Sequence, residues 1–324
     1  MLNRQIIKKL VTTFITIILS TFILFALVRL SPGDPVRMLL GNQETADMNS
    51  MAIQEKYQEK REELFLHEPI PKQYLRWTKN ILSLNLGTSI YSGQSVSQEL
   101  LEKLPATIGL TVIAILVQLL LGLSLGTLSG VHANTFLDTI IRVFCSFFSS
   151  LPGFSVSLVL IYIFSVKLKM YEISTMASLN RIWLPAFTLG LMTAPGFIRF
   201  IRSSILEEMG KLYVYNDLAM GAKKSVLVAG IFKNIKLNII TVTTTTFSNL
   251  IGGSVVIESI FSWPGIGKYA MDSILMLDYP VIQGYGLFMV LLVIIVNTIV
   301  DLTYILCDPE IKQNNRRRDL AHEK

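Results

Sequence analysis

Residues 105–130 read PATIGLTVIAILVQLLLGLSLGTLSG, without a charged side chain from Pro105 to Gly130. A helix that crosses hydrocarbon needs about 20 predominantly apolar residues, and this run exceeds that length. Outward from it, comparable runs occupy roughly 10–28, 140–166, 184–201, 237–257 and 281–306, giving six expected spans. The composition agrees: of 324 residues, 51% are hydrophobic and 16% charged, with a mean hydropathy of +0.52. A soluble domain carries about a quarter charged residues, so an ordinary cytosolic enzyme is excluded. The net charge of +6 does not point to nucleic acid, because the basic residues cluster where apolar runs end and form no stripe interleaved with aromatics. Two cysteines, Cys145 within a run and Cys307 at the end of another, provide no disulfide framework or CxxC motif and read as packing residues.

The first run follows Arg4, Lys8 and Lys9. Its length exceeds the apolar region of a signal peptide, and the continuation Arg29-Leu30-Ser31-Pro32-Gly33 lacks a small-residue cleavage site. We therefore expect residues 1–30 to form a tail and first span, 31–104 an extracellular loop domain, 105–306 a five-helix core, and 307–324 a basic cytoplasmic tail. With the N-terminus inside, the cytoplasmic segments hold sixteen Lys and Arg, against four in the short outer loops: Lys167, Lys169, Arg181 and Lys268. This bias predicts an N-in, C-in topology in a bacterial plasma membrane.

Gly122, Gly126 and Gly130 share one helix face and predict close packing within the chain. Pro152, Pro185 and Pro195 interrupt their spans, which predicts kinks. Span five carries a polar run in which Thr241, Thr245, Ser248 and Asn249 are candidates for a translocation path, since an amide without a partner is costly in hydrocarbon. Glu258, Asn297 and Asp301 lie near the ends of spans five and six and read mainly as local pairing groups.

Catalytic chemistry finds no support. His67, His132 and His322 fall in predicted loops or tails, so none serves a buried nucleophile or a zinc ion. Pro264-Gly265-Ile266-Gly267-Lys268-Tyr269 is not a phosphate loop, which needs glycine at the place of Ser262 and a hydroxyl residue directly after the lysine. No nucleotide, metal or other cofactor site is expected. Between spans four and five lies a cytoplasmic loop at about 203–235; from Arg199 to Lys236 the chain carries seven basic residues, and Leu212–Ala222 reads as a short helix stopped by Gly221 in a left-handed cap. Such a helix is a docking element for a protein or rests on lipid headgroups.

That loop, through Tyr213-Val214, Ala219-x-Gly221 and Lys233-Asn234, resembles the coupling loop of ABC importer permeases of the dipeptide, oligopeptide and nickel group. The stretch from Gly252 to Gly267, Asp278–Gly284, then Asn297, Asp301 and Asp308-Pro309 resemble the group's C-terminal signature. Upstream, Ser31–Val36, Gln73–Trp77, Leu86–Ser89 and Leu104–Thr107 are similar as well, so the resemblance spans the chain. It implies an all-α, six-span type I permease that pairs with a second, homologous permease. Two ABC ATPase subunits and an extracellular solute-binding protein complete the assembly, and this chain itself is not an enzyme. It also implies an ATPase-coupling loop of Tyr213, Asp217, Leu218, Ala219, Met220, Gly221, Ala222 and Lys223, and a segment facing the binding protein at Trp263, Pro264 and Gly265. The loop departs from the pattern in Asp217, Leu218, Met220 and Asn238, and Lys233 replaces an arginine, losing the bidentate fork. A path lined by Thr, Ser and Asn favours peptide import. A nickel chelate is the second substrate reading, and a standalone channel or proton-coupled carrier lies outside the class.

Overall fold

Long apolar runs leave the backbone one economical way to satisfy its polar groups in lipid, the helix. The computed structural model describes the backbone of residues 2–30, 55, 57–59, 62, 67–83, 85–174 and 176–307, and the side chains of the same set apart from 2–10, 28–30, 179 and 299–307. Its helices are α1 (Leu2–Leu30), α2 (Ile70–Leu82), α3 (Val96–Val131), α4 (Phe136–Ser150), α5 (Gly153–Ile161), α6 (Leu179–Met209), α7 (Leu212–Ala219), α8 (Lys224–Ile260), α9 (Ile266–Leu275) and α10 (Tyr279–Cys307). Among the described residues no strand forms; a single antiparallel bridge joins Thr88 to Ser95. The motif at Ser31–Val36, Asp308-Pro309 and the basic tail lie outside the described residues.

Within these helices, Val96–Val131, Asn180–Met209, Lys224–Ile260 and Tyr279–Thr298 are each long and apolar enough to cross a membrane. The expected span at 140–166 is not one helix. Phe136–Ser150 and Gly153–Lys167 meet at a 98° bend, and Tyr162–Lys167 is a π-helical turn. Pro152 causes the break: it lacks an N–H and forces Leu151 into an extended conformation (φ −89°, ψ 134°). Pro185 and Pro195, expected to interrupt their span, instead sit inside the continuous helix α6. The helices α3 and α8 begin earlier than the apolar runs indicate, at Val96 and Lys224, because helix propensity continues beyond the hydrocarbon.

The chain divides into two compact units. The first comprises Met1–Pro105 and Gly265–Ile294, the second Ala106–Pro264 and Ile295–Lys324. In the second unit α6 is the central helix. Its Leu184, Ala186 and Leu189 pack with Leu110 and Ala114 of α3 and Leu250 and Ile257 of α8. Further along, Phe197, Ile201 and Ile205 meet Ile231 and Ile235 of α8, and Ala194 and Ile198 meet Ile141 and Cys145 of α4. Cys145 is thus a packing residue.

The glycine face of α3 seats α6. A Cβ added at Gly126 would lie 2.7 Å from the Ile201 Cβ and 2.9 Å from the Ile198 oxygen; Gly122 meets Phe197 and Gly130 meets Ile205 in the same way. Gly190 of α6 reciprocates against the Ala114 oxygen at 2.5 Å. Both sequences rise together along this seam, so α3 and α6 run parallel.

In the first unit, Tyr74 and Trp77 of α2 stack against Phe22 and Phe25 of α1. Two distant motifs also meet there. Ser89 Oγ donates to Asp278 Oδ2 at 2.6 Å, and Gly87 (φ +88°) leaves its Cβ position 3.6 Å from the Pro280 Cβ.

Candidate functional site

The segment between α6 and α8 is built by local backbone chemistry. The helix α7 ends in a complete Schellman cap: Gly221, at φ +83°, donates its N–H to the Leu218 oxygen at 3.0 Å, and Ala222 donates to the Asp217 oxygen at 3.0 Å. Val214 is buried and seats the helix. Leu212, Tyr215, Leu218 and Met220 stand out, at 75%, 59%, 48% and 78% exposure. Leu212, Tyr215 and Leu218 recur at a helical spacing, with Lys211, Lys223 and Lys224 exposed at the ends of the stripe.

A buried carboxylate holds this helix to its neighbours. Glu208, in the last turn of α6 and 5% exposed, accepts from Tyr213 Oη of α7 at 2.6 Å and from Asn234 Nδ2 of α8 at 3.0 Å. Asn234 Nδ2 also reaches Tyr213 Oη at 3.1 Å, and Lys211 Nζ pairs with Glu208 Oε1. One side chain therefore ties three helices. Burial, reinforced by the neighbouring Glu208, pushes the Tyr213 phenol up, so it remains a donor. The hydrogen bond to Glu208 raises the Lys211 ammonium in turn. Tyr213 was legible in the sequence, but Glu208 was not; its only signal is a carboxylate at the end of a span five residues before a tyrosine.

On α8, Thr241, Thr245 and Asn249 share a face at spacings of four. Thr245 and Asn249 are exposed and Thr241 is half-buried. The hydroxyls of Thr241, Thr244, Thr245 and Thr246 bond back to the carbonyls of Leu237, Ile240, Thr241 and Val242 at 2.8–2.9 Å, whereas Thr243 Oγ1 is buried without a hydrogen-bond partner. Ser248 is a different case. It is turned inward, 4% exposed, and so does not share the open face of the other three candidates.

Trp263 needs a similar correction. Its side chain is 2% exposed and packs in the core with Tyr171 and Phe261, and its indole Nε1–H donates to the Ala106 oxygen at 2.9 Å. Gly265 is buried and Pro264 half-buried. A large aromatic ring with a satisfied donor gains more by burial than by facing water, and the indole has no surface left for a partner. Beside it, Glu258 is fully buried and accepts from Thr107 Oγ1 at 2.8 Å and Ser254 Oγ at 3.0 Å. The local-pairing reading of Glu258 holds. Asn297 is exposed, and the Asp301 side chain lies outside the described set.

Two further polar clusters lie outside the candidate residues. Asp138, fully buried, accepts from Arg202 Nε and Nη2 at 2.8 Å each, from Ser129 Oγ at 2.5 Å and from the Asn134 N–H at 3.0 Å. A partial signal was present, since Thr135 caps α4 and Asp138 stands three residues on, as in a capping box. In the first unit, Glu99 accepts from Tyr269 Oη and from Ser92 Oγ at 3.1 Å, while Lys103 lies 4.7 Å from the Tyr269 ring centre. Burial and the Glu99 carboxylate push the Tyr269 phenol far above its ordinary range.

Helices long and apolar enough to cross a membrane, a braced short helix with an exposed apolar stripe, and a polar face on one of the long helices fit a membrane component. Comparison with known proteins specifies the class. The chain matches the family described as binding-protein-dependent transport system inner membrane component over residues 118–313, and that family's N-terminal region over residues 1–111. It belongs to this family, whose members are the membrane permease components of ABC transporters and are not themselves catalytic; separate subunits hydrolyse ATP. It is 32% identical to a probable peptide ABC transporter permease of Sinorhizobium fredii over 95% of this chain and 98% of the relative. It is 33% identical to a glutathione transport system permease of Pectobacterium atrosepticum, covering 96% and 99%. A putative peptide transport system permease of Brucella melitensis is 31% identical over 96% and 99%.

Proposed function

We propose that this chain is a six-span, N-in and C-in permease subunit of an ATP-driven peptide importer, paired with a second permease, two ATPase subunits and a solute-binding protein. The observation that carries the reading is α7. It leaves an apolar stripe exposed beside lysines, a surface suited to a groove on a partner. Through Glu208 it is tied to α6 and α8, so a displacement of α7 by the ATPase moves both spans. Hydrolysis then shifts a two-state equilibrium through differential contacts at Tyr213 and Asp217–Lys223.

The parallel packing of α3 and α6 supports the span count. Two spans pointing the same way require the chain between them to cross back, so the bent pair α4 and α5 counts as one crossing. With α1, α3, α6, α8 and α10 this makes six. The lysine and arginine bias then sets α7 inside. The open face of Thr241, Thr245 and Asn249 is assigned to the translocation path, since an exposed amide at membrane depth calls for water or polar cargo. The binding protein meets segment 31–104 around its exposed Tyr91.

Peptide cargo follows from the polar face of α8, from the absence of histidine in the expected spans, and from the peptide and glutathione names of the relatives. The test is uptake in a deletion strain complemented with this chain, offered labelled di- and oligopeptides in one arm and labelled nickel, with and without chelator, in the other. Peptide uptake alone is the expected result. Nickel uptake alone would overturn the substrate, and failure to co-purify any ATPase would overturn the class and revive a standalone channel or carrier.

A further inference from the structure

We propose that α2 lies in the outer membrane–water interface and is a lipid-binding element, holding anionic headgroups on Lys72 and Lys79 with Leu75 and Leu82 at the acyl boundary. The proposal rests on reading α1 as a span with its C-terminal end outside. The depth of α2 follows from its contacts. Tyr74 Oη shares a hydrogen bond with Thr21 Oγ1 at 2.8 Å and donates to the Ile18 oxygen at 3.3 Å, and Trp77 stacks on Phe25 with ring centres 5.3 Å apart. The apolar stretch of α1 runs Val11–Leu27. At 1.5 Å per residue, Phe25 lies about 3 Å and Ile18 about 14 Å below Leu27. The tyrosine ring therefore reaches down beside α1 while the α2 backbone sits near the top of the hydrocarbon, the level at which tyrosine and tryptophan anchor membrane proteins.

The outer face of α2 has the chemistry of that level. Lys72, Leu75, Arg76, Lys79 and Leu82 recur at helical spacing on one side, opposite Tyr74 and Trp77. Leu75 is 67% and Leu82 81% exposed, and both lysines are exposed. No acidic residue occurs in the helix; Arg76 pairs with Glu68 just before it, at 3.3 Å. Leucines flanked by ammonium groups at headgroup depth match an interfacial helix, whose apolar side enters the acyl boundary while its cations meet phosphates.

The assembled transporter, with Cys145 and Cys307 replaced by alanine, is reconstituted in nanodiscs of phosphatidylethanolamine and phosphatidylglycerol. Nitroxides at Leu75→Cys, Leu82→Cys, Ile15→Cys and Tyr91→Cys are read by their collisions with oxygen and with a water-soluble nickel chelate. Labels at 75 and 82 should favour oxygen, as at 15, while the label at 91 favours the chelate. Labels at 75 and 82 behaving like 91, with 15 still in lipid, overturn the proposal and leave the span intact. Water at position 15 overturns the reading of α1 itself. In a second experiment, a fluorophore at Leu75→Cys is quenched by brominated phosphatidylglycerol or phosphatidylcholine. Lys72→Gln and Lys79→Gln should each lower the preference for phosphatidylglycerol about five-fold; an unchanged preference overturns the headgroup assignment.

Discussion

Replacing Glu208 by glutamine should loosen α7 without removing it. The carboxylate accepts charge-assisted bonds from Tyr213 and Asn234, each worth about 1.5 kcal/mol at the low end for charged partners, or about 3 kcal/mol together. The Lys211 pair is half-exposed and adds little. Glutamine retains one neutral acceptor worth about 1 kcal/mol, so the net loss is about 2 kcal/mol, or about 30-fold in the local opening equilibrium. Hydrogen exchange of the purified transporter should show that loss of protection confined to residues 211–222, together with ATP hydrolysis that no longer tracks peptide transport. Tyr213→Phe should give about a ten-fold effect, and the double variant less than the product of the two, because both remove the same bond. The pH dependence has a definite sign. The folded loop holds the Tyr213 proton more tightly than the open loop, so its stability is full below the ordinary tyrosine pKa of about 10 and falls as pH rises above it. Unchanged exchange at 211–222 in Glu208→Gln would refute the brace.

Four further outcomes follow from the same geometry. Gly221→Pro should abolish uptake with insertion intact, because proline cannot adopt φ +83° and removes the bond to Leu218; Gly221→Ala, with open space around its Cβ, should cost only about 1–2 kcal/mol of local stability, read by exchange. Gly126→Val should force α3 and α6 apart and abolish the monodisperse folded peak on size-exclusion chromatography, whereas Gly253→Ala, with nothing within 4 Å, should not. Asp138→Asn should leave Arg202 uncompensated and cost about 3–5 kcal/mol, seen as a lowered thermal midpoint. Trp263→Phe should lose about 1 kcal/mol of stability through the Ala106 bond while leaving affinity for the binding protein unchanged; a weakened affinity would restore the outward role that burial removes.

The helical membrane class was legible because a run such as 105–130 is a local property: hydrophobicity over 20 residues fixes the solvent, and the solvent dictates the helix. The stop at Gly221 was legible for a similar reason, since the left-handed cap depends on one residue and its immediate neighbours. The glycine face was legible as a seam, and its partner was not. A spacing of four states that something approaches closely, whereas Phe197, Ile201 and Ile205 had to come from a helix some seventy-five residues away.

The sequence by itself determined that this chain lives in a bilayer, where its apolar runs fall, and that the run 105–130 carries one face of small residues. The tertiary structure alone decided how each helix is turned about its axis. That rotation sends Asn249 out and Ser248 in, although they are neighbours, and puts the Trp263 indole against Ala106 rather than a partner. It also decided which charges pair, joining Asp138 to Arg202 and Glu208 to Tyr213 and Asn234. Burying a carboxylate is tolerable only where donors converge on it, and convergence belongs to the packing of separate segments.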